Sequence, residues 1–296
     1  MFHHEFRATR PTVCLGVLAA LSAGVAHAID TEPGNYTALP PGSNALGLYY
    51  QHVARDEQYA NGKRVGGNLS LNSDIVQVRY AHYTQLGGYT VAPGFIQSCG
   101  HTEGGGTAAA LRRAGGCWDT VLGGTLWTIN DPRQGRYLGF SPYVIAPSGD
   151  YDRNKALNLG ENRWRYGMNA GFITPLFLRF HLDVVGDIVA SGKNTDYGPA
   201  GATLEQGTVY NAQFHLRYQF DQSTRISASY LHDWGGETAV NGVARHDRKN
   251  QGRYRIGAAK FLDPNNLVQL EYGADTHVEN GFREKGRTIL RYVRIF

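Results

Sequence analysis

The stretch Tyr210-Asn211-Ala212-Gln213-Phe214-His215-Leu216-Arg217-Tyr218-Gln219-Phe220 decides the fold. Its even positions are apolar or aromatic and its odd positions are polar or charged. Successive side chains of an extended strand point to opposite faces, so the segment presents one apolar face and one polar face. The stretch 178–190 repeats the pattern: Leu178, Phe180, Leu182, Val184, Ile188 and Ala190 alternate with Arg179, His181, Asp183 and Asp187. Both runs exceed the length that a soluble sheet usually needs. An apolar outside opposite a polar inside, sustained over a bilayer's thickness, is the signature of a transmembrane β-barrel strand. A soluble sandwich explains the β-propensity but not that polar face.

Carried outward, the same alternation predicts strands near 45–57, 73–86, 88–97, 118–129, 136–147, 162–174, 176–191, 206–220, 224–234, 250–262, 267–278 and 284–296. Twelve is an even number, as an all-β, antiparallel up-and-down barrel requires. The connections alternate in length. Short ones carry turn residues, as at Gly87-Gly88, Asp131 to Gly135, Thr174-Pro175, Asp221 to Thr224 and Asp263 to Asn266. Long ones fall near 58–72, 98–117, 148–161, 192–205 and 235–249. Short turns belong on the periplasmic side and long loops outside, which puts both ends of the barrel in the periplasm. Tyr49, Tyr50, Tyr137, Trp164, Tyr166, Trp234 and Tyr254 lie near strand ends, where aromatic girdles are expected. The chain ends on Phe296, in phase with Leu290 and Tyr292, as a terminal strand presented to barrel-assembly machinery should; Arg294 breaks that phase.

Arg7 and Arg10 precede an apolar stretch from Val13 to Val25 that ends in Ala26-His27-Ala28. This is the order of a secretory signal peptide, and the small residues place cleavage before Ile29. The expected division is a leader at 1–28, a periplasmic N-terminal segment at 29–44 and a barrel at 45–296. The polar, proline-containing segment 29–44 is expected as a loose tail, with a plug inside the barrel as the other possibility. Losing Arg7, Arg10 and Glu5 lowers the formal charge of +4 by one, a balance that names no partner. Beyond the leader no apolar run is long enough for a membrane helix, and mean hydropathy is −0.38. Cys99 and Cys117 are the cysteines left, and an even pair in an exported chain points to a disulfide.

The run Ala146-Pro147-Ser148-Gly149-Asp150-Tyr151-Asp152, followed by Leu157-Asn158-Leu159-Gly160-Glu161-Asn162-Arg163-Trp164, resembles a central motif of the family labelled "putative meta-pathway of phenol degradation". Glu32-Pro33-Gly34-Asn35-Tyr36 and the segment from Trp118 to Trp127 are similar to it too. The resemblance implies an outer-membrane, transporter-like barrel associated with uptake of aromatic or other hydrophobic compounds. The glycine-rich insert between Cys99 and Cys117 departs from the family pattern.

Strand phase turns Arg79, Arg165, Arg179, Arg217, Arg253, Arg255 and Arg291 inward with His181, His215, Asp183, Asp187 and Glu271. A lumen with this excess of arginine favours neutral or anionic solutes, because low-dielectric walls focus the field of fixed charges. The same groups could instead pair and fill the barrel. The expected function is passive passage of small aromatic or hydrophobic compounds, without cofactor or covalent chemistry. A non-transporting barrel whose long loops bind an outside partner is the second reading. A hydrolase is third: His52, His82 and His232 face outward while Ser227 and Ser229 face inward, so phase offers no serine–histidine pair. His246 and Asp247, the loop candidates for a protease, sit among Arg245, Arg248 and Lys249 in what looks like a solvated charge cluster. No closely spaced metal-ligand set and no basic footprint for nucleic acid occurs.

Overall fold

The computed structural model describes residues 29–296, and the expected leader lies outside them. Twelve long strands form the wall: β1 (Asn44–Ala60), β2 (Leu69–His82), β3 (Tyr89–Gly106), β4 (Thr120–Asp131), β5 (Arg136–Ala146), β6 (Arg165–Pro175), β7 (Phe180–Ser191), β8 (Val209–Gln219), β9 (Thr224–Gly235), β10 (Lys249–Asp263), β11 (Asn266–Val278) and β12 (Gly281–Ile295). Each pairs antiparallel with the next. β12 closes the barrel on β1, in a register running from Ala45↔Ile295 to Tyr59↔Gly281. Closure removes the sheet edges that lipid could not satisfy.

Alternation sorts the side chains as expected in most of the wall. Tyr50, Val76, Phe95, Phe214, Ile256 and Leu290 are exposed on the outside, while Asp183, Asp187, Gln213 and His215 are buried inside. Tyr50, Trp164, Tyr166 and Tyr254 are also exposed aromatics, but Tyr49 and Tyr137 face inward and are buried, so they form no part of an outer girdle.

Several segments differ from the expected strand plan. β7 starts at Phe180 because Leu178 adopts a positive φ of 52° and the amide of Phe180 bonds back to the carbonyl of Phe177. That tight turn takes Leu178 and Arg179 out of the strand whose period they fit. The stretch 98–117, expected as a loop, instead prolongs β3 to Gly106 and returns as a short strand, Arg113–Cys117. Cys99 and Cys117 face each other in that register and form a disulfide. Finally, the long connections 192–205 and 235–249 contribute short strands at Asn194–Tyr197, Ala202–Gln206, Thr238–Val240 and Val243–Ala244, which pair into a separate four-stranded sheet at the long-loop end.

Candidate functional site

The lumen is filled by the chain's own N-terminal segment. Asn44 starts β1 at the short-turn end, so residues 29–43 enter from that end and place Ile29 deepest. The expectation of a loose tail is corrected by the hydrogen bonds this segment makes with the wall. The amide of Ile29 donates to Asp187 Oδ2 at 2.8 Å, that of Thr31 to Gln213 Oε1 at 2.9 Å and that of Gly34 to Asp183 Oδ2 at 2.6 Å. Around these donors the segment's own backbone bonds are those of the turn at 33–36, which leave them without internal partners, so inward-facing polar side chains on β7 and β8 supply them. Asp30 pairs with Arg253 and Arg255 on β10, and Glu32 with Arg79 on β2 at 3.6 Å.

One half of the interior, from β7 round to β1, is a network of charges. Arg217 Nε and Nη2 both donate to Asp183, at 3.0 and 2.7 Å. Arg253 pairs with Asp233. Arg55 and Arg287 converge on Glu284 at 3.0 and 2.6 Å. Arg291 donates to Gln269 and lies over the Tyr49 ring. Pairing of this kind offsets the cost of burying the ions.

The other half is aromatic. Tyr36 packs with Tyr83, Ala92, Trp127, Tyr137, Ile173 and Val185. Its ring lies against β5 and β6 at glycines. A Cβ at Gly171 would come within 2.1 Å of the ring and one at Gly139 within 2.8 Å. Trp127 Nε1 donates to the Tyr36 carbonyl at 2.8 Å, and the Tyr36 hydroxyl meets Asn169 and, at 3.0 Å, Ser141.

Beside this aromatic half the wall itself is thin. The β4–β5 ladder pairs Gly123 with Tyr143 and Leu126 with Phe140, but Gly124 and Thr125 have no backbone partners opposite Pro142 and Ser141. On the other side Gly124 faces Pro93 of β3. Proline has no N–H to give, and glycine adds no side chain, so the sequence itself weakens pairing here. The Thr125 and Ser141 hydroxyls bridge the gap at 2.7 Å. A cavity of about 90 Å³ opens at this place. It is lined by Tyr36, Trp127 and Asn169 from inside and by Tyr80, Phe95 and Pro142, which belong to the outward face.

The long-loop end is capped by the segment whose sequence resembles the family motif. Asp119 accepts the amides of Gly149 at 2.9 Å and Glu161 at 3.0 Å. Asp150 accepts the amide of Cys117 at 2.6 Å, tying the disulfide hairpin to the cap. Glu161 pairs with Arg163 at 2.6 Å and Arg165 at 2.9 Å. Burial works to raise the Glu161 carboxyl, but Arg165 and Arg163 overcome it and hold the group below the usual carboxylate range. Asp119 shifts the other way, raised by burial against those two amide bonds.

Among the lumen residues that phase selects, Arg165, Arg217, Arg253, Arg255, Asp183, Asp187, His215 and Glu271 are buried, and Arg79, His181 and Arg291 are partly so. Arg179 is the exception: it is exposed in the β6–β7 turn and donates to the Phe220 carbonyl, because the turn at Leu178 ends the alternation. Phase reasoning also missed a contact. His215 Nδ1 lies 2.8 Å from Ser229 Oγ across the β8–β9 ladder, but both are buried and Thr31 covers the other ring nitrogen at 3.4 Å. Tyr36, Trp127, Asn169 and Glu284, central to the filled lumen, were not selected. Trp127 and Tyr36 did lie in segments that carry the family resemblance. Among the described residues no group of three metal-ligating side chains converges.

A closed, twelve-stranded antiparallel barrel with an apolar belt and an internal plug defines an outer-membrane channel. The chain belongs to the family described as "Putative MetA-pathway of phenol degradation", whose model matches residues 54–292. It is similar to the COG4313 outer membrane channel from Pseudomonas putida F1, with 37% identity and a TM-score of 0.87 over 90% of this chain and 100% of that one. The barrel alone is shared with the β domain of the Bordetella autotransporter BrkA, at 11% identity and TM-score 0.52 over 85% and 100% of the two chains. The transport unit of the Escherichia coli autotransporter AIDA-I gives 12% and 0.51 over 95% and 96%. No curated protein sequence matches.

Proposed function

We propose that this channel passes small aromatic or other hydrophobic solutes passively, and that they leave the lumen sideways through the wall between β4 and β5. The observation that carries this reading is the cavity at the unpaired Gly124-Thr125 and Ser141-Pro142 positions, which is lined both by Tyr36 and Trp127 of the lumen and by Tyr80, Phe95 and Pro142 of the outward face. A solute without charge gains nothing from the arginine half, where the cations hold the plug and one another's partners. It gains apolar contact beside Tyr36 and Trp127. The family description supports the solute class by association with phenol degradation.

The rest of the topology follows the same reading. The leader is removed before Ile29, the short turns and both ends of the mature chain face the periplasm, and the strand ending in Phe296 is the one offered to the assembly machinery. No cofactor takes part.

The test is to close the wall. Thr125→Cys with Ser141→Cys puts two thiols where hydroxyls now touch, and entry of a labelled monoaromatic hydrocarbon is followed into proteoliposomes with a lipopolysaccharide outer leaflet. Entry should fall to the protein-free rate when the pair is oxidised and recover on reduction, with reduced wild-type protein as the control for Cys99–Cys117. Equal entry in both states would exclude the lateral route.

A further inference from the structure

We infer that Asp187 and Tyr143 form a binding site for the chain's own processed amino terminus, so that removal of the leader creates the charge that locks the plug in the lumen. The inference rests on the proposed cleavage before Ile29.

Asp187 on β7 is buried, and its oxygens accept from the Tyr143 hydroxyl at 3.0 and 2.9 Å and from the backbone nitrogen of Ile29 at 2.8 Å. These donors are all neutral, and no ion pair to Asp187 occurs among the described residues. Its neighbours are served differently. Asp183, four residues nearer the short-turn end, has Arg217 at 2.7 Å, and Glu284 has two arginines. A buried carboxylate held by neutral donors alone is costly, and the missing countercharge is the feature to explain.

Cleavage before Ile29 supplies it at the right atom. The nitrogen that now donates as an amide becomes an α-ammonium, charged at neutral pH because a free amino terminus titrates at about 8. It needs no movement to form a charge-assisted pair with Asp187 Oδ2. Its side chain is already seated, since Ile29 packs on Tyr143, Ile145 and Val189. The next residue is tied independently through Asp30 to Arg253 and Arg255. Two successive positions of opposite charge therefore meet two strands of opposite charge, and a shift by one residue would break both matches. Ile29 also lines the cavity beside the wall gap, so the lock fixes one side of the proposed solute route. A chain still carrying its leader cannot make the ionic contact, so the plug seats fully only after export and processing.

Intact mass of the protein purified from outer membranes first reports the N-terminus; any start other than Ile29 overturns both the cleavage reading and this site. With Ile29 established, three folded proteins are compared, each checked for the heat-modifiable mobility of a closed barrel: the native chain, Asp187→Asn, and a refolded chain with one glycine before Ile29. The readout is acylation of the terminal amine by an amine-directed reagent, followed by mass spectrometry. Acylation of the native amine should be slower than in either altered protein by about tenfold, the effect of losing one charge-assisted hydrogen bond. The glycine-extended chain leaves every wall residue intact, so it decides the matter even if Asp187→Asn folds poorly. Equal acylation in the native and glycine-extended proteins would overturn the site while leaving the cleavage and the lateral channel untouched.

Discussion

Trp127 on the barrel wall donates its indole N–H to the backbone carbonyl of Tyr36 in the plug, at 2.8 Å, while both rings sit in one buried cluster. The plug is therefore held on the aromatic side by the Tyr36 ring and carbonyl, and on the other by backbone amides and by Asp30 and Glu32. Tyr36 stands where the two meet the thin part of the wall.

Gly171→Ala should dislodge Tyr36, because the added methyl would lie within 2.1 Å of its ring and no rotation of an alanine relieves that. Tyr36→Ala empties the same space and should destabilise the plug by about 3–5 kcal/mol, the usual range for a large buried aromatic. In both variants Trp127 emission should move to the red while the barrel remains heat-modifiable. An unchanged spectrum in Gly171→Ala would show that the ring has another resting place.

Ionic conductance of the wild-type chain in planar bilayers should be close to silent, since residues 29–36 and the paired arginines occupy the lumen. Deleting residues 29–36 should produce steady conductance. It also releases Arg79, Arg253 and Arg255 from their contacts with Glu32 and Asp30, so the reversal potential under a salt gradient should indicate anion preference. Cation preference would refute that assignment, and high conductance in the wild type would refute a filled lumen.

The cap at the long-loop end should respond to acid through Glu161. Its carboxyl is held below the ordinary range in the folded protein, so its contribution to stability is complete above the unfolded value and is lost as pH falls through the lowered one. Asp119, which is raised, contributes with the opposite sign, so the measurement is a difference: protease resistance of the 148–163 segment in wild type and in Glu161→Gln. At neutral pH the variant should lose about 3–5 kcal/mol of local stability, as expected when one partner of a buried ion pair is removed. The two proteins should converge as pH drops below the carboxylate range.

Reduction of Cys99–Cys117, or Cys99→Ser with Cys117→Ser, should expose the hairpin 100–116 to protease and leave the barrel intact. The bridge spans 18 residues, while the wall's closure runs through other strands. Local loss of about 3 kcal/mol is expected for a loop near this length. A change in heat-modifiable mobility would mean that the bridge supports the wall itself.

Alternation of apolar and polar side chains is enough to read twelve strands, because each lipid-facing position must be apolar whatever its neighbours are. Where the alternation misled, at Leu178 and Arg179, a local backbone event was responsible: both keep the period but lie in a turn. Tyr49 and Tyr137 look like girdle residues because they lie near strand ends, but their phase turns them inward, where they are buried. The inward arginines were also legible, since phase alone turns them from lipid. Their partners were not, because Glu284 with Arg55, and Asp30 with Arg255, are joined only when the barrel closes and the plug enters.

By itself, then, the sequence determined the barrel, its strand count and the polarity of its two faces, which depend on one residue's relation to the next along a strand. Only the tertiary structure decided that the N-terminal segment fills the lumen, that Tyr36 rests on Gly139 and Gly171, and that the ladder fails between Gly124 and Pro142. Those are relations among residues as many as 225 positions apart, such as Asp30 and Arg255, and no local periodicity records them. They arise because burying polar and charged groups inside the barrel is costly without partners, and the partners come from whatever chain can reach them.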